Sequence, residues 1–354
     1  MTMTGPWLLY GANGYTGELV ARLAVAHRHV PFLAGRRADA VCALADELGL
    51  PRRLFDLEDP SRVAEGLAGM SLVLHCAGPF SRTARPMAEA CLRTGTHYLD
   101  VSGEVAVLEA LAERGREARE AGVMLLPGCG FGVVATDCLA LHLKRRLPGP
   151  RRLALGFESR GRASRGTLLT ALQDLQRGGL VRRDGVLTPV PAAWKTRTID
   201  FGDGPSKAIT IPWGDVATAW HSTGIPDIEV YMAAHPGRRL LFRLSRWLGP
   251  ILTSRPVRRA LRQQVVAGPR GPTDEERRQG RAHIWGEVED ASGGRRVSRL
   301  VTPEAYAFTA RAALASVERV LEGAARPGFQ TPSLAFGPDF VLQIEGTTRR
   351  DDEG

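Results

Sequence analysis

Lysine is almost missing from this chain. Of its 47 basic residues only Lys144, Lys195 and Lys207 are lysines, and the other 44 are arginines. Cysteine is also scarce: Cys42, Cys76, Cys91, Cys129 and Cys138 are an odd set with no Cys-x-x-Cys pair. That argues against a disulfide framework and for reduced thiols in the cytoplasm. The eight histidines are scattered and no His-Glu-x-x-His occurs, so no metal is expected. No Gly-x-Ser-x-Gly elbow is present. No apolar run is long enough to span a bilayer. The opening "MTMTGPWLLYGANG" has no basic n-region, so no signal peptide is expected. The net charge is +9, yet zinc-finger spacing, an aromatic RNA-binding signature and an isolated basic arm are all lacking. Nucleic acid is therefore not an expected partner.

The chain does have material for a core. Its 354 residues are 44% apolar and 24% charged, as in soluble globular proteins, and exceed the usual single domain. Short apolar runs at 7–10, 31–34, 52–55, 71–76, 97–101 and 123–127 read as buried parallel strands. Helical patterns near 15–27, 38–48, 60–68, 82–94, 104–120 and 133–146 alternate with them. This is the pattern of an α/β, Rossmann-type doubly wound parallel sheet. After "RRLPGPRR" the strands lengthen and alternate, at 152–158, 195–201, 207–212, 227–233, 281–290 and 295–301. The last two flank the hairpin signal "ASGG". An inserted α+β domain with a mainly antiparallel sheet follows from this. The expected divisions are 1–147 for the nucleotide domain, 148–302 for the insertion, 303–345 for a returning helix and segment, and 346–354 for a disordered tail.

The loop Gly11, Ala12, Asn13, Gly14, Tyr15, Thr16 and Gly17 sits between a strand and a helix. Glycines in this Gly-x-x-Gly-x-x-Gly spacing let the backbone turn, approach a pyrophosphate and bring the helix close. The helix N-terminus adds a positive dipole end. A fold that prefers NAD ends its second strand on an acidic residue. Here "LAGRR" puts Arg36 and Arg37 there, and guanidinium suits a 2′-phosphate through forked hydrogen bonds. NADPH is therefore expected over NADH, with Arg36 the first contact and Arg37 either a second contact or a solvent-facing group. Asp56 is placed to meet adenine, or else Asp56 or Asp59 caps a helix. In "HCAGPF", Ala77, Gly78, Pro79 and Phe80 are expected near the nicotinamide side.

Together, "GANGYTG", "LAGRR", "HCAGPF", "HYLDVSGE", "PGCGFG" and "TPSLAFG" resemble the saccharopine dehydrogenase-like family. Within it the chain is most similar to the bacterial trans-acting enoyl reductases. The resemblance covers the first ~145 residues and resumes near 306–337. It implies an NAD(P)-binding Rossmann domain carrying an inserted substrate domain, and an oxidoreductase. It also brings forward Asp100, Ser102 and Glu104 at the fifth strand end, and Thr136 and Asp137 at a helix start. Asp137 can equally be a helix N-terminal charge.

No tyrosine is followed four residues later by lysine: Tyr98 leads to Ser102 and Tyr306 to Ala310. The Tyr–Lys acid pair of short-chain dehydrogenases is thus absent. Hydride transfer still needs only placement and a proton, since the cofactor carries the hard step. Tyr98, Asp100, Glu104 and Tyr306 are the proton-supply candidates, and Ser102 could bind ribose or polarise a carbonyl.

Nine arginines crowd 238–270 with no Asp or Glu among them. Within 238–262 an amphipathic pattern could meet an anionic membrane, an acidic carrier protein, a CoA tail or only the core. Three readings follow: reduction of a C=C bond in a lipid or polyketide-type acyl (enoyl) intermediate, saccharopine-type C–N chemistry, or a non-catalytic NADP(H) sensor.

Overall fold

A computed structural model of the chain describes residues 5–159, 161–174, 178–234 and 255–352. The backbone divides into two compact units. One holds 1–134 and 306–344, the other 135–305 and 345–354.

The first unit runs β1 (Trp7–Tyr10), α1 (Tyr15–Ala26), β2 (Phe32–Gly35), α2 (Ala38–Leu48), β3 (Arg52–Leu54), α3 (Pro60–Leu67) and β4 (Leu72–His75). It continues with α4 (Phe80–Thr94), β5 (His97–Asp100), α5 (Val105–Glu113), α6 (Gly115–Glu120) and β6 (Met124–Leu126). The helix expected over 104–120 is broken at Arg114. There Gly115 packs against Phe329, whose Cβ would lie 3.1 Å from any added Cβ.

The second unit holds α7 (Val134–Arg146), β7 (Pro150–Ser159), α8 (Arg165–Asp174), β8 (Gly179–Arg183), β9 (Val186–Val190), β10 (Thr196–Asp200) and β11 (Pro205–Thr210). It continues with α9 (Asp215–Thr223), β12 (Asp227–Ala233), α10 (Arg255–Ala267), α11 (Asp274–Gln279), β13 (Arg281–Asp290) and β14 (Arg295–Pro303). The chain then returns to the first unit through α12 (Ala305–Arg319), β15 (Gly328–Phe329) and α13 (Pro332–Phe336). It ends with β16 (Thr348–Asp351) in the second.

The first sheet has the order β15-β6-β5-β4-β1-β2-β3, all parallel. Order reverses between β1 and β4, where Tyr10 stands opposite His75. Alternate residues of β1 feed two cores: Trp7 and Leu9 on one face, Leu8 and Tyr10 on the other. On the first face α12 adds Ala310, Ala313, Leu314 and Val317, which is why the returning segment belongs to this unit.

The second sheet is mixed, in the order β10-β11-β12-β7-β13-β14-β16, with the β8–β9 hairpin attached to β12. Within this sheet only β7 and β12 pair in parallel among the described strands. The β8–β9 hairpin turns on Asp184 and Gly185, both at positive φ (47° and 78°), a two-residue Asp-Gly signal that the strand pattern alone passes over. The first break comes at 134 rather than 147, since Leu139 and Leu143 of α7 pack over Gly286 of β13. Of the tail expected to be disordered, Thr348–Asp351 forms β16, antiparallel to β14. The two acids at its end are paired. Asp351 accepts from Ser298 Oγ at 2.6 Å and contacts His142 Nε2 at 2.9 Å, and Asp352 pairs with Arg299.

Candidate functional site: the carboxyl edge of the parallel sheet

The glycine loop is sewn to the second strand. Gly11 and Ala12 both donate to Ala34 O, at 2.8 and 3.2 Å, and Gly14 N donates to Gly11 O at 2.9 Å. Gly11 lies at φ +80°, and a Cβ there would stand 2.8 Å from Ala77 N. The loop thus meets the segment after β4 backbone to backbone. At Gly17 a Cβ would fall 2.3 Å from Gly11 O, so only glycine lets α1 start this close to the turn. Gly14 is the N-cap of α1 and offers no side-chain cap. A buried-edge cradle with an uncapped helix N-terminus fits a pyrophosphate. Ala12 and Gly17 are buried, and Asn13, Tyr15 and Thr16 are half-buried around it.

The two arginines after β2 separate in role. With the Asn13 amide turned to present its oxygen, Arg37 donates to it from Nε (3.1 Å) and Nη2 (2.8 Å). Arg36 is exposed and close enough to oppose, by its charge, the upward push on the Tyr10 phenol. Burial, and then the Asp56 carboxylate, raise that phenol to about 12, and its hydroxyl donates to Phe55 O at 3.2 Å. Asp56 closes a local turn by accepting from Glu58 N at 3.0 Å, and Asp59 rather than Asp56 caps α3. A half-buried Asp56 beside Tyr10 and Arg36 leaves this corner able to hold an adenosine end.

Tyr98, Asp100 and Glu104 all make hydrogen bonds to the loops of this edge. Tyr98 and Asp100 are fully buried on β5. The Tyr98 hydroxyl donates to Asp100 Oδ2 at 2.6 Å, while Asp100 Oδ1 accepts from Ser102 N (2.8 Å) and Gly128 N (2.9 Å). Burial raises the Asp100 carboxyl above its ordinary range against the pull of these donors, and it raises the Tyr98 phenol further still. The pair ties the loops after β5 and β6 together. Glu104 accepts from Phe80 N (2.8 Å) and Ser81 N (2.9 Å), so it caps α4 as a two-pronged acceptor. A polar residue at a strand end faces the loops that need donors and acceptors as readily as it faces a ligand.

Tyr306 is placed differently. It opens α12 half-buried, with its ring edge-on to Tyr15 at 5.2 Å and 85°, beside the first turn of α1. Next to it, Thr309 Oγ1 accepts from Phe131 N at 3.1 Å, anchoring the "PGCGFG" loop. Ser102 is 1% exposed, and its backbone N–H donates to Asp100. After β4, Ala77 and Phe80 are half-buried and Gly78 exposed, with a cis bond to Pro79. Thr83 Oγ1 donates to Ala77 O at 2.7 Å and holds that segment down.

One residue of this edge was not singled out from the sequence. His75 ends β4 fully buried, with neither ring nitrogen hydrogen-bonded. Its ring lies 5.5 Å from Tyr10, 5.3 Å from Phe80 and 6.3 Å from Tyr98. Burial lowers its pKa to about 3, so the imidazole is neutral. The available signal is a histidine closing an otherwise apolar strand at the point where strand order reverses.

The second unit has its own cavity of ≈ 500 Å³. Ala154 of β7 lies in register between Glu229 of β12 and Glu287 of β13. Arg197 of β10 reaches Glu287 at 2.7 Å, and Lys195 reaches Glu229 at 2.5 Å. The Tyr231 hydroxyl donates to Glu229 Oε2 at 2.5 Å. The cavity is charge-balanced and strongly polar. Thr136 and Asp137, expected at a helix start, lie in α7 at 2% and 0% exposure, so they present no open binding surface. Among the described residues no group of His, Cys, Asp and Glu is placed to hold a metal. None of the described helices is long and apolar enough to cross a membrane. In the basic segment 238–262, residues 238–254 lie outside the described residues.

Residues 7–126 match the family described as Saccharopine dehydrogenase NADP binding domain. A trans-acting enoyl reductase of Mycobacterium leprae is 33% identical over 149 residues, which cover 40% of this chain and 35% of that protein. A saccharopine dehydrogenase-like oxidoreductase of Bos taurus is 28% identical over 216 residues, covering 55% and 46%. The chain thus spans between a third and a half of the length of these relatives. In fold it is similar to the apo saccharopine dehydrogenase (L-Glu forming) of Saccharomyces cerevisiae, with TM-score 0.65 and 14% identity, covering 99% of this chain and 100% of the other.

Proposed function

We propose, from the premise that residues 7–126 are a saccharopine dehydrogenase NADP binding domain, that the protein is an NADPH-dependent oxidoreductase. Its reaction is the reduction of a C=C bond in a lipid or polyketide-type acyl (enoyl) intermediate, carried by CoA or an acidic carrier protein. The support for the cofactor half is the Arg36-Arg37 pair after β2: both guanidiniums are exposed beyond the glycine loop, and Arg37 alone is tied to Asn13 once that amide presents its oxygen. The support for the acyl half is the similarity to proteins named trans-acting enoyl reductase.

When bound, the nicotinamide cofactor supplies hydride. The chain's own work is placement. Gly11, Gly14 and Gly17 admit the pyrophosphate, the α1 N-terminus faces its charge, and Arg36 takes the 2′-phosphate. Glu104 and Asp100 hold the loops at the sheet edge in one conformation. Tyr306, beside Tyr15, is the hydroxyl we assign to the proton that completes the reduced acyl group.

A second reading rests on the cavity of the other unit. Its paired carboxylates and cations suit an amino-carboxylate better than an alkyl chain, which favours C–N chemistry of the saccharopine type. NADPH oxidation followed at 340 nm, with an enoyl thioester in one arm and an amino acid plus aldehyde in the other, separates the two. Turnover in the first arm alone supports the enoyl assignment, and turnover in the second alone overturns it. NADPH binding without turnover in either arm leaves the sensor reading.

A further inference from the structure

The helix that returns to the first unit carries a further assignment. Tyr306 and Thr309 stand three positions apart at the head of α12, neighbours on one side of the helix. Thr309 is 9% exposed, in a run whose other buried members, Phe308, Ala310, Ala312 and Ala313, are apolar. Both branches of its side chain are engaged. Oγ1 accepts from Phe131 N at 3.1 Å, across 178 positions of chain. The Cγ2 methyl occupies the place that a side chain at 130 would need: a Cβ on Gly130 would fall 2.8 Å from it. The Phe131 and Phe308 rings meet edge-on alongside, at 6.0 Å and 85°.

The seat under Thr309 is itself fixed. Gly128 N donates to Asp100 Oδ1 at 2.9 Å and Cys129 N to Asp100 O at 2.6 Å, so the 128–131 loop is pinned to the end of β5. Further along, α12 is held down by Ala310, Ala313, Leu314 and Val317 in the core. Contacts of that kind are non-directional, and three small or flexible side chains leave a helix free to rotate or slide a little. A hydrogen bond has a preferred length and angle, and a methyl lodged against a glycine has one place to go. We propose that Thr309 is the positioning residue of Tyr306: seated on Gly130 and Phe131, it fixes the first turn of α12 and with it the stance of the Tyr306 ring against Tyr15. Its effect on the reaction rests on the assignment of the proton step to Tyr306; its effect on where Tyr306 stands does not.

The chain has five tyrosines, so fluorotyrosine labelling of the full chain gives a five-line fluorine NMR spectrum, and the line that vanishes in Tyr306→Phe belongs to Tyr306. Thr309→Val keeps the shape of the side chain and removes the acceptor, whereas Thr309→Ser keeps the acceptor. The expected result is that Thr309→Val shifts the Tyr306 line and leaves the line of Tyr231, in the other unit, in place. Thr309→Ser should return the Tyr306 line toward its original position. Gly130→Ala presses on the same methyl from the loop side and should move the same line, which gives a second displacement if Thr309→Val folds poorly. With NADPH and crotonyl-CoA, Thr309→Val should lower kcat by about tenfold, less than a misplacement of about 1 Å can cost. KM for NADPH should be unchanged, and Thr309→Ser should restore kcat. In the Tyr306→Phe protein Thr309→Val should cost no further kcat, because a residue that acts through Tyr306 has nothing left to position. A Tyr306 line that stays put in both Thr309→Val and Gly130→Ala overturns the proposal, as does a kcat loss from Thr309→Val that is equally large in the Tyr306→Phe protein. A line that moves while kcat holds keeps the positional role and removes Tyr306 from the proton step, so the two failures are told apart. The fluorine spectrum needs no turnover, and it decides the positional role whatever bond is reduced.

Discussion

With the Asn13 amide turned to present its oxygen, the Arg37 guanidinium donates to it twice, at 3.1 and 2.8 Å. The contact buttresses the glycine loop from the β2 side; both arginines are exposed, and Arg36 is the one not tied to Asn13. Arg36→Ala should therefore weaken NADPH by roughly 10- to 100-fold, the worth of charge-assisted bonds to a phosphate. NADH affinity should change less than threefold. Calorimetry with both nucleotides checks this, and equal losses would refute the assignment.

Gly17→Ala should abolish nucleotide binding without unfolding the chain. The added methyl falls 2.3 Å from Gly11 O, so the turn must open, at a cost of about 1–3 kcal/mol. Thermal unfolding with and without NADPH is the measurement: the midpoint drops modestly, and the rise on adding NADPH disappears.

Tyr306→Phe should lower kcat for the reductive half-reaction by about 100-fold or more while leaving NADPH affinity unchanged. Tyr98→Phe should do the reverse. It strips a donor from the buried Asp100 carboxylate, costs about 1–3 kcal/mol of stability, and leaves kcat within a few-fold. A large kcat loss in a stable Tyr98→Phe protein would return Tyr98 to the catalytic list.

His75 predicts an acid sensitivity. Its folded pKa, about 3, lies below the ordinary 6.5, so the unfolded chain binds the proton more tightly. The stability linked to His75 is complete above pH 6.5 and is lost as pH falls toward 3, by about 1.4 kcal/mol per unit. His75→Phe should flatten that part of the curve. Urea unfolding midpoints at pH 7, 5.5 and 4.5 provide the comparison, and parallel curves for the two proteins would contradict it.

Glu104→Gln should cost about 0.5–2 kcal/mol, since the carboxylate accepts from both Phe80 N and Ser81 N. Chemical denaturation reads the loss. NADPH turnover should be little changed.

Local signals are legible wherever a residue's job is set by its near neighbours in the chain. The glycine spacing at 11, 14 and 17 implies a tight strand–turn–helix because only a missing Cβ permits it, and the contacts at Gly11 and Gly17 bear that out. The strands at 7–10, 72–75 and 97–100 are short apolar runs because both of their faces are covered. The β8–β9 hairpin is marked in the sequence only by Asp184-Gly185, because its strands are short and mixed in polarity.

The amino-acid order thus determined the doubly wound sheet, the nucleotide loop and the cation after the second strand, since each depends on backbone freedom or periodicity within a dozen residues. Only the tertiary structure decided what the polar groups at the strand ends do. Tyr98, Asp100 and Glu104 look equivalent to Tyr306 in sequence. The first three bond with donors and acceptors of loops up to 28 positions away, and Tyr306 is brought back across the insertion to stand beside Tyr15. A hydrogen-bonding group is claimed by whichever complementary group the fold brings within about 3 Å, and the chain order alone does not specify that distance.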